Sequence, residues 1–216
     1  ELVEIYTDVD GVYTADPRIV KDARKLDEIS YDEMLELATL GAKVLHNRSV
    51  ELARKYGVEL VVLSSLTRAT GTVVKEDTKM EKMVVSGVAV DKNVARIAVL
   101  GIKDEPGKAF ELFSLMGKNN INVDIILQSI GREGRKDISF IISRDELTRA
   151  VDLISKDLDR LGEKVVFDDK IAKVSVVGAG MQSNAGVASI MFEALYDAGI
   201  NISMISTSEI KISVLI

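Results

Sequence analysis

Apolar and polar positions divide the chain into an opening stretch where helix and strand alternate and a longer stretch that repeats itself. Leu2 to Tyr6 is a short apolar strand candidate, and the following Thr7-Asp8-Val9-Asp10-Gly11-Val12-Tyr13-Thr14-Ala15-Asp16-Pro17-Arg18 spells a loop through its Asp, Gly and Pro residues. Ser30 stands three residues before Glu33, the spacing of a capping box, ahead of Met34, Leu35, Leu37 and Ala38, so a helix is expected to begin there. A second helical stretch covers about residues 42–56, with Gly57 placed as its C-terminal cap before a buried strand over 58–63. Residues 64–72, polar and holding Gly71, are expected to lead out of this first unit.

From Val84 onward Gly107, Ala109, Phe113, Ile121 and Asn122 recur as Gly186, Ala188, Phe192, Ile200 and Asn201, at a constant offset of 79 residues. Each copy has a strand (97–102; 174–179), a Gly-bearing turn, a helix (107–119; 186–198), a strand opening with Asn (122–130; 201–207) and a further alternating strand (138–143; 212–216). The first copy adds a helix over 145–161 and a strand over 164–167, completing the β-α-β-β-α-β order of a ferredoxin-like unit. The second lacks that last helix and strand unless residues 82–90 fill a vacant sheet edge from the other side. The predicted class is therefore α/β, with expected boundaries at 1–75, 76–168 (first copy with a lead-in strand) and 169–216 (second copy, incomplete).

Composition narrows the function. At 216 residues, 47% hydrophobic against 29% charged and with only 2 Pro, the chain is globular, one large domain or two small ones. A net charge of −6 argues against nucleic acid as partner. No run approaches the ~20 apolar residues of a membrane span and no charged-then-apolar leader opens the chain, which favours the cytoplasm and no membrane partner. Without Cys there is no disulfide, thiolate or Cys-ligated zinc, and His46 alone builds no His cluster, so no metal site is expected and His46 is read as structural or interfacial. Glu1 in place of Met, and an end inside the alternating run 211–216, make both termini look cut.

Three places could carry chemistry. The loop from Thr7 to Arg18 follows a strand, where open α/β sheets collect ligands. It is either an Asp-rich turn with Tyr13 as packing, or a nucleotide pocket with Tyr13 against a base, Arg18 reaching phosphate and Asp8 or Asp16 on ribose or backbone. No Walker A or Gly-x-Gly-x-x-Gly fingerprint is present. Asp104-Glu105-Pro106-Gly107-Lys108-Ala109 is a tight strand-to-helix turn whose free N–H groups would attract a carboxylate. It is expected near Asn122-Val123-Asp124, where Asp104, Asn122, Asp124 and Gln128 offer acceptors for an ammonium, so that together they could hold a free amino acid. The second copy has no Asp at its turn and carries Ser203 where the first has Asp124, which suggests unequal binding. Met191 and Phe192 are expected in the core, Glu133-Gly134-Arg135-Lys136 as a solvated hairpin tip, and Ser206-Thr207-Ser208-Glu209 as a turn within reach of a ligand.

Residues 7–18, with Ile29-Ser30-Tyr31-Asp32-Glu33-Met34-Leu35-Glu36-Leu37-Ala38 and Gly41-Ala42-Lys43-Val44-Leu45-His46, closely resemble the C-terminal part of an aspartokinase catalytic domain. Asn122-Val123-Asp124, Val176-Val177-Gly178-Ala179-Gly180-Met181 and residues 203–211 resemble its two ACT domains. The resemblance implies a remnant of an amino-acid-kinase α/β domain followed by tandem ferredoxin-like ACT domains. Such a kinase phosphorylates the β-carboxylate of aspartate with ATP and Mg2+, the first step toward lysine, threonine and methionine, while the ACT pair senses lysine and/or threonine. It further implies that Thr7, Asp8, Tyr13, Thr14, Ala15, Asp16, Pro17, Arg18, Lys43 and Val44 line the nucleotide side. Asp104, Glu105, Pro106, Gly107, Lys108, Ala109, Asn122, Val123, Asp124 and Gln128, with Val187, Ala188, Asn201, Ile202, Ser208 and Glu209, would form effector sites where ACT domains meet. The implied partners are a second copy through the ACT domains or the catalytic subunit of a two-subunit enzyme. The family's Lys-Phe-Gly-Gly-Thr and Arg-Gly-Gly-Ser motifs are not in this chain, so no catalytic residue is assigned in it and the chain alone is expected to be inactive. A stand-alone ACT sensor and a dimerisation module regulating another protein are the alternatives.

Overall fold

A computed structural model describes residues 1–42, 44–76 and 83–216. Lys43, assigned above to the nucleotide side, and residues 77–82, which include the start of the lead-in strand, lie outside the described residues. In chain order the elements are β1 (Leu2–Thr7), β2 (Glu28–Ser30), α1 (Tyr31–Thr39), α2 (Asn47–Tyr56), β3 (Glu59–Ser64), β4 (Thr72–Lys75) and β5 (Gly87–Asp91). Then come β6 (Val94–Lys103), α3 (Lys108–Lys118), β7 (Asp124–Gln128), β8 (Arg135–Ser143), α4 (Leu147–Lys156), α5 (Leu158–Leu161) and β9 (Lys164–Asp168). The chain continues through β10 (Lys173–Val177), α6 (Val187–Asp197), β11 (Met204–Thr207) and β12 (Lys211–Leu215). These fall into two compact units, Glu1–Asp91 with Lys173–Ile216, and Lys92–Ala172.

The first unit holds two sheets. One has the order β1-β3-β4-β2, with β1 parallel to β3, β2 parallel to β4, and β3 antiparallel to β4. Residues 64–72 therefore return the chain to its own sheet instead of leading out of it. Gly71 permits this, because a Cβ there would lie 1.8 Å from the Val62 carbonyl oxygen. Thr72 then pairs with Val62, and its buried hydroxyl accepts from Val12 N at 2.8 Å and donates to Leu26 O at 2.6 Å. The capping box forms as expected: the Ser30 hydroxyl accepts from Glu33 N at 3.3 Å, and the Glu33 carboxylate accepts from Ser30 N at 3.4 Å. Helix α2 starts later than residue 42, because His46 takes the N-cap position and its Nδ1 accepts from Arg48 N at 3.2 Å. It ends at Gly57, whose φ of 63° is the left-handed cap that glycine accommodates. Met34, Leu37, Val50, Leu60, Val62 and Val74 form one buried cluster, which also takes in Ala89 and Val177 from the second sheet.

That second sheet, β11-β12-β10-β5, is antiparallel throughout. The lead-in strand thus pairs with β10 of the second copy, from Gly87 opposite Val177 to Asp91 opposite Lys173, at the sheet edge offered above for residues 82–90, whereas the expected boundaries grouped it with the first copy. It fills the edge that the second copy leaves open. Among the described residues no second helix follows α6 as α4 and α5 follow α3, which packs against both. Met191 and Phe192, expected in the core, are accordingly only half-buried, and Tyr196 is 82% exposed.

The second unit is the complete copy. Its sheet, β7-β8-β6-β9, is antiparallel, and Ile97, Val99, Ile138, Phe140 and Ile142 form one core with Leu112, Met116, Ala150, Ile154 and Leu161 of the helices. Residues 144–146 form a 3-10 turn ahead of α4, so the helix expected over 145–161 is broken into three pieces. The repeat holds at the level of single dihedrals: Gly107 and Gly186 both cap their helices with φ near +95° (93° and 98°), and Asn120 and Gly199 share the left-handed region at 55° and 66°.

Candidate functional site

Of the residues assigned to the nucleotide side, Thr7 ends β1 and Asp8 follows it, at the carboxyl end of a strand, the place where open α/β sheets present ligands, and residues 13–18 belong to the loop that continues from there. The Thr7 hydroxyl donates to Asp8 Oδ1 at 3.0 Å, and the Thr7 carbonyl accepts from Ser65 N at 2.8 Å, joining the ends of the parallel strands β1 and β3. Tyr13 is half-buried and donates to Asp10 Oδ1 at 2.9 Å, a bond that raises its phenol pKa above the usual value. The Tyr13 ring is fixed by Asp10, a residue that sequence reasoning did not single out. Asp16 and Arg18 form a fork, with Nη2 2.8 Å from Oδ2 and Nε 3.0 Å from Oδ1. Ala15 and Pro17 continue this loop, and Val44 lies half-buried in the turn between α1 and α2.

The hydrogen bonds from Arg18 hold the Asp16 carboxyl below its ordinary range. A depressed native pKa contributes stability that is present above the unfolded value of ~3.9 and is lost as pH falls through the native one. Arg18 is exposed, so the contribution is small. Carbon-detected NMR titration is expected to place the Asp16 midpoint below that of a model peptide and to return it upward in Arg18→Ala; an unchanged midpoint in the variant would contradict Arg18 as the cause.

The effector-side residues arrange differently from the expectation. Within the complete copy, Lys103 pairs with Arg135 at one end of the sheet, whereas Asp124 pairs with Ile141, which lies opposite Arg96 at the other. Helix α3 runs the length between them. The turn Asp104–Ala109 and the segment Asn122–Asp124 are therefore not brought together in one copy; Gln128 lies toward the Asp104 end. The second copy repeats this, with Val187, Ala188, Ser208 and Glu209 at one end of β11 and Asn201 and Ile202 at the other. Gln182 Nε2 donates to Glu209 Oε2 at 3.2 Å, which ties the turn before α6 to the β11–β12 hairpin.

Two details bear on ligand chemistry. Asp104 is already paired, with Lys136 Nζ 2.9 Å from its carboxylate, so Lys136 is not a free hairpin-tip cation; Arg135 likewise pairs with Glu163 at 3.0 Å. Ile125, next to Asp124, has φ = 36°, an outlier for a β-branched residue, where β7 bulges between Asp124 and Ile126. Asp124 Oδ1 accepts from Ile125 N at 2.9 Å at this kink. Both β7 and β11 are edge strands, and Ile126 and Ile205 stand exposed on them. No group of metal-ligating side chains occurs among the described residues, and no described helix is long and apolar enough to cross a membrane.

The architecture defines a class: part of an amino-acid-kinase domain joined to two ACT copies. Residues 1–64 match the model of the amino acid kinase family, and residues 97–158 with 174–216 match an ACT domain. An aspartokinase of Helicobacter pylori is 53% identical over the whole chain, which covers 54% of that protein. A structure of aspartokinase alpha and beta subunits is 44% identical, with a TM-score of 0.57, over 61% of this chain and 86% of that one. Escherichia coli aspartokinase III, 29% identical over 99% of this chain and 48% of its own, superposes with a TM-score of 0.81 in its complex with aspartate and ADP and 0.78 in its complex with lysine and aspartate. The chain belongs to the aspartokinase family. It spans about half the length of the curated relatives it matches.

Proposed function

We propose that this chain is the regulatory portion of an aspartate kinase, with the last part of its kinase domain, and that it binds end-product amino acids, lysine and/or threonine, where ACT copies meet. The observation that carries this reading is the placement of candidate binding groups at opposite ends of the edge strands β7 and β11. An antiparallel pairing of two such edges sets the Asn122–Asp124 end of one copy beside the Gln128 and turn end of its neighbour. The split found within one copy thus becomes a complete site at a contact between ACT edges of two chains. Exposed apolar residues on both edges fit such pairing, and the strained Ile125 lies where the ligand would bind. The partner on this reading is a second copy, or the catalytic subunit of a two-subunit enzyme. The lysine complex of the E. coli relative agrees with the effector class.

The proposed division gives residues 1–75 to the kinase portion and residues 169–216 together with β5 to the second ACT copy. In the complete enzyme ATP with Mg2+ would phosphorylate aspartate. The half-buried Tyr13 ring and the acceptors Thr7 and Asp8 at the end of β1 fit one wall of a nucleotide site, and supply orientation, not phosphate chemistry. Phosphoryl transfer depends on positioned cationic and Gly-rich phosphate contacts, so the chain by itself is proposed to be catalytically silent; aspartate-dependent ATP turnover by the pure chain would refute that.

Titration calorimetry with lysine, threonine and methionine tests the effector reading. Heat from at least one of the three is expected. Asn122→Ala and Asp124→Ala are each expected to weaken it roughly ten- to hundredfold, the loss of hydrogen bonds to a charged group being worth ~1.5–3 kcal/mol. No heat from a folded chain, or undiminished affinity in both variants, sinks the reading.

A further inference from the structure

We propose that β5, gripped at Ser86 by Glu33, is the element through which occupancy of the second ACT copy reaches the nucleotide-side loops. This rests on the effector reading above and extends it to how the signal leaves the site.

Strand β5 is shared between two neighbourhoods. Its inner edge is the antiparallel partner of β10 along its full length. On its other side Val88 N donates to the carbonyl of Thr14, in the nucleotide-side loop, at 2.7 Å. The backbone also approaches Gly41, just ahead of Val44, where a Cβ would lie 3.2 Å from Val90 O. A displacement of β5 relative to the first sheet therefore moves Thr14 and the Gly41 turn, or breaks their contacts.

Glu33 fixes β5 to the turn that precedes α6. Its carboxylate is buried, and both oxygens accept bonds. Oε2 takes Ser30 Oγ at 2.9 Å and Ser30 N at 3.4 Å. Oε1 takes Ser86 Oγ at 2.5 Å and Ala179 N at 3.0 Å. Ser86 N in turn donates to Val177 O at 2.8 Å. Ala179 opens the 3-10 turn Ala179–Gln182, whose Gln182 reaches the candidate effector residue Glu209. The turn packs without slack: a Cβ at Gly178 would lie 2.3 Å from Val84 O, and one at Gly180 2.6 Å from Met83 O. A buried carboxylate stripped of donors is costly, so α1, β5 and the turn move together instead of parting. Close packing then turns a small shift of the turn into a shift of the strand.

Hydrogen exchange of the 216-residue chain with and without lysine or threonine, beside calorimetry that reports occupancy, tests this. In the wild type the ligand is expected to slow amides of residues 12–18 and 44–45 by about fivefold, the lower end of ordinary coupling. Glu33→Ala is expected to bind the ligand with retained affinity yet show no change in those amides. Glu33→Gln keeps a carbonyl oxygen for Ala179 N and Ser86 Oγ and is expected to retain the response. If circular dichroism shows Glu33→Ala unfolded, Ser86→Ala decides, with the same loss expected. Loop protection that persists in the ligand-bound variants, or is missing from the ligand-bound wild type, overturns the proposal. Absence of heat from the wild type is a different result: it removes the effector reading itself, before any exchange is measured.

Discussion

Replacing Gly71 with Ala is expected to destabilise the first unit by about 3 kcal/mol, at the upper end of what steric overfilling costs. The new methyl would sit 1.8 Å from Val62 O and 2.8 Å from Val62 C, both backbone atoms of β3. A flexible side chain could swing aside; a strand between two hydrogen-bonded neighbours cannot, and β3 lies between β1 and β4. Relief would come from pushing β4 off β3. That withdraws the buried Thr72 hydroxyl from Val12 N and Leu26 O, so a steric fault becomes a polar one. Urea denaturation should show a lower midpoint with an unchanged slope. A loss below about 1 kcal/mol would mean that the turn relaxes far more easily than close packing allows.

Phe140→Ala should cost the other unit about 3–5 kcal/mol, the usual range for emptying a buried aromatic site. Phe140 is fully buried, and its ring meets Phe113 edge-on, with centroids 5.4 Å apart at 73°. This contact joins β8 to α3, so its loss loosens the sheet from the helix. Exchange protection is expected to fall across residues 92–172 and to hold in residues 59–64 and 72–75, because the two units have separate cores. Uniform loss along the whole chain would show that the cores melt as one.

The sequence made local structure legible wherever one residue type answers one backbone demand. Ser30 with Glu33 announced a helix start, Gly57 a helix end, and the Gly107–Gly186 correspondence a repeated strand-to-helix turn. Pairings between distant segments were not legible. For β5 only the vacancy was legible: the incomplete second copy left a sheet edge for residues 82–90 to fill, but a short apolar run carries no register, and its partner β10 lies beyond the whole of the inserted unit. The expected closeness of Asp104 and Asn122 failed for a simple reason: the 11 residues of α3 span about 16 Å and carry the chain to the other end of the sheet. The capping-box motif identified Glu33 but accounts for only one of its carboxylate oxygens. Its second oxygen serves Ser86 and Ala179, far apart in sequence, and no local signal foretells that.

The placement of β5 also sets a timetable. Its partner in the sheet is made only after the 81 residues from Lys92 to Ala172, which form the other unit, have been made. At a synthesis rate of roughly 5–20 residues per second, β5 waits about 4–16 s with its strand edge unpaired. The strands of residues 92–172 pair among themselves and can close first, bringing Asp91 and Lys173 together as the register pairs them. The inserted copy therefore acts as a clasp during birth of the chain, and slow or faulty closure of that copy should appear as aggregation through β5, not as a local defect.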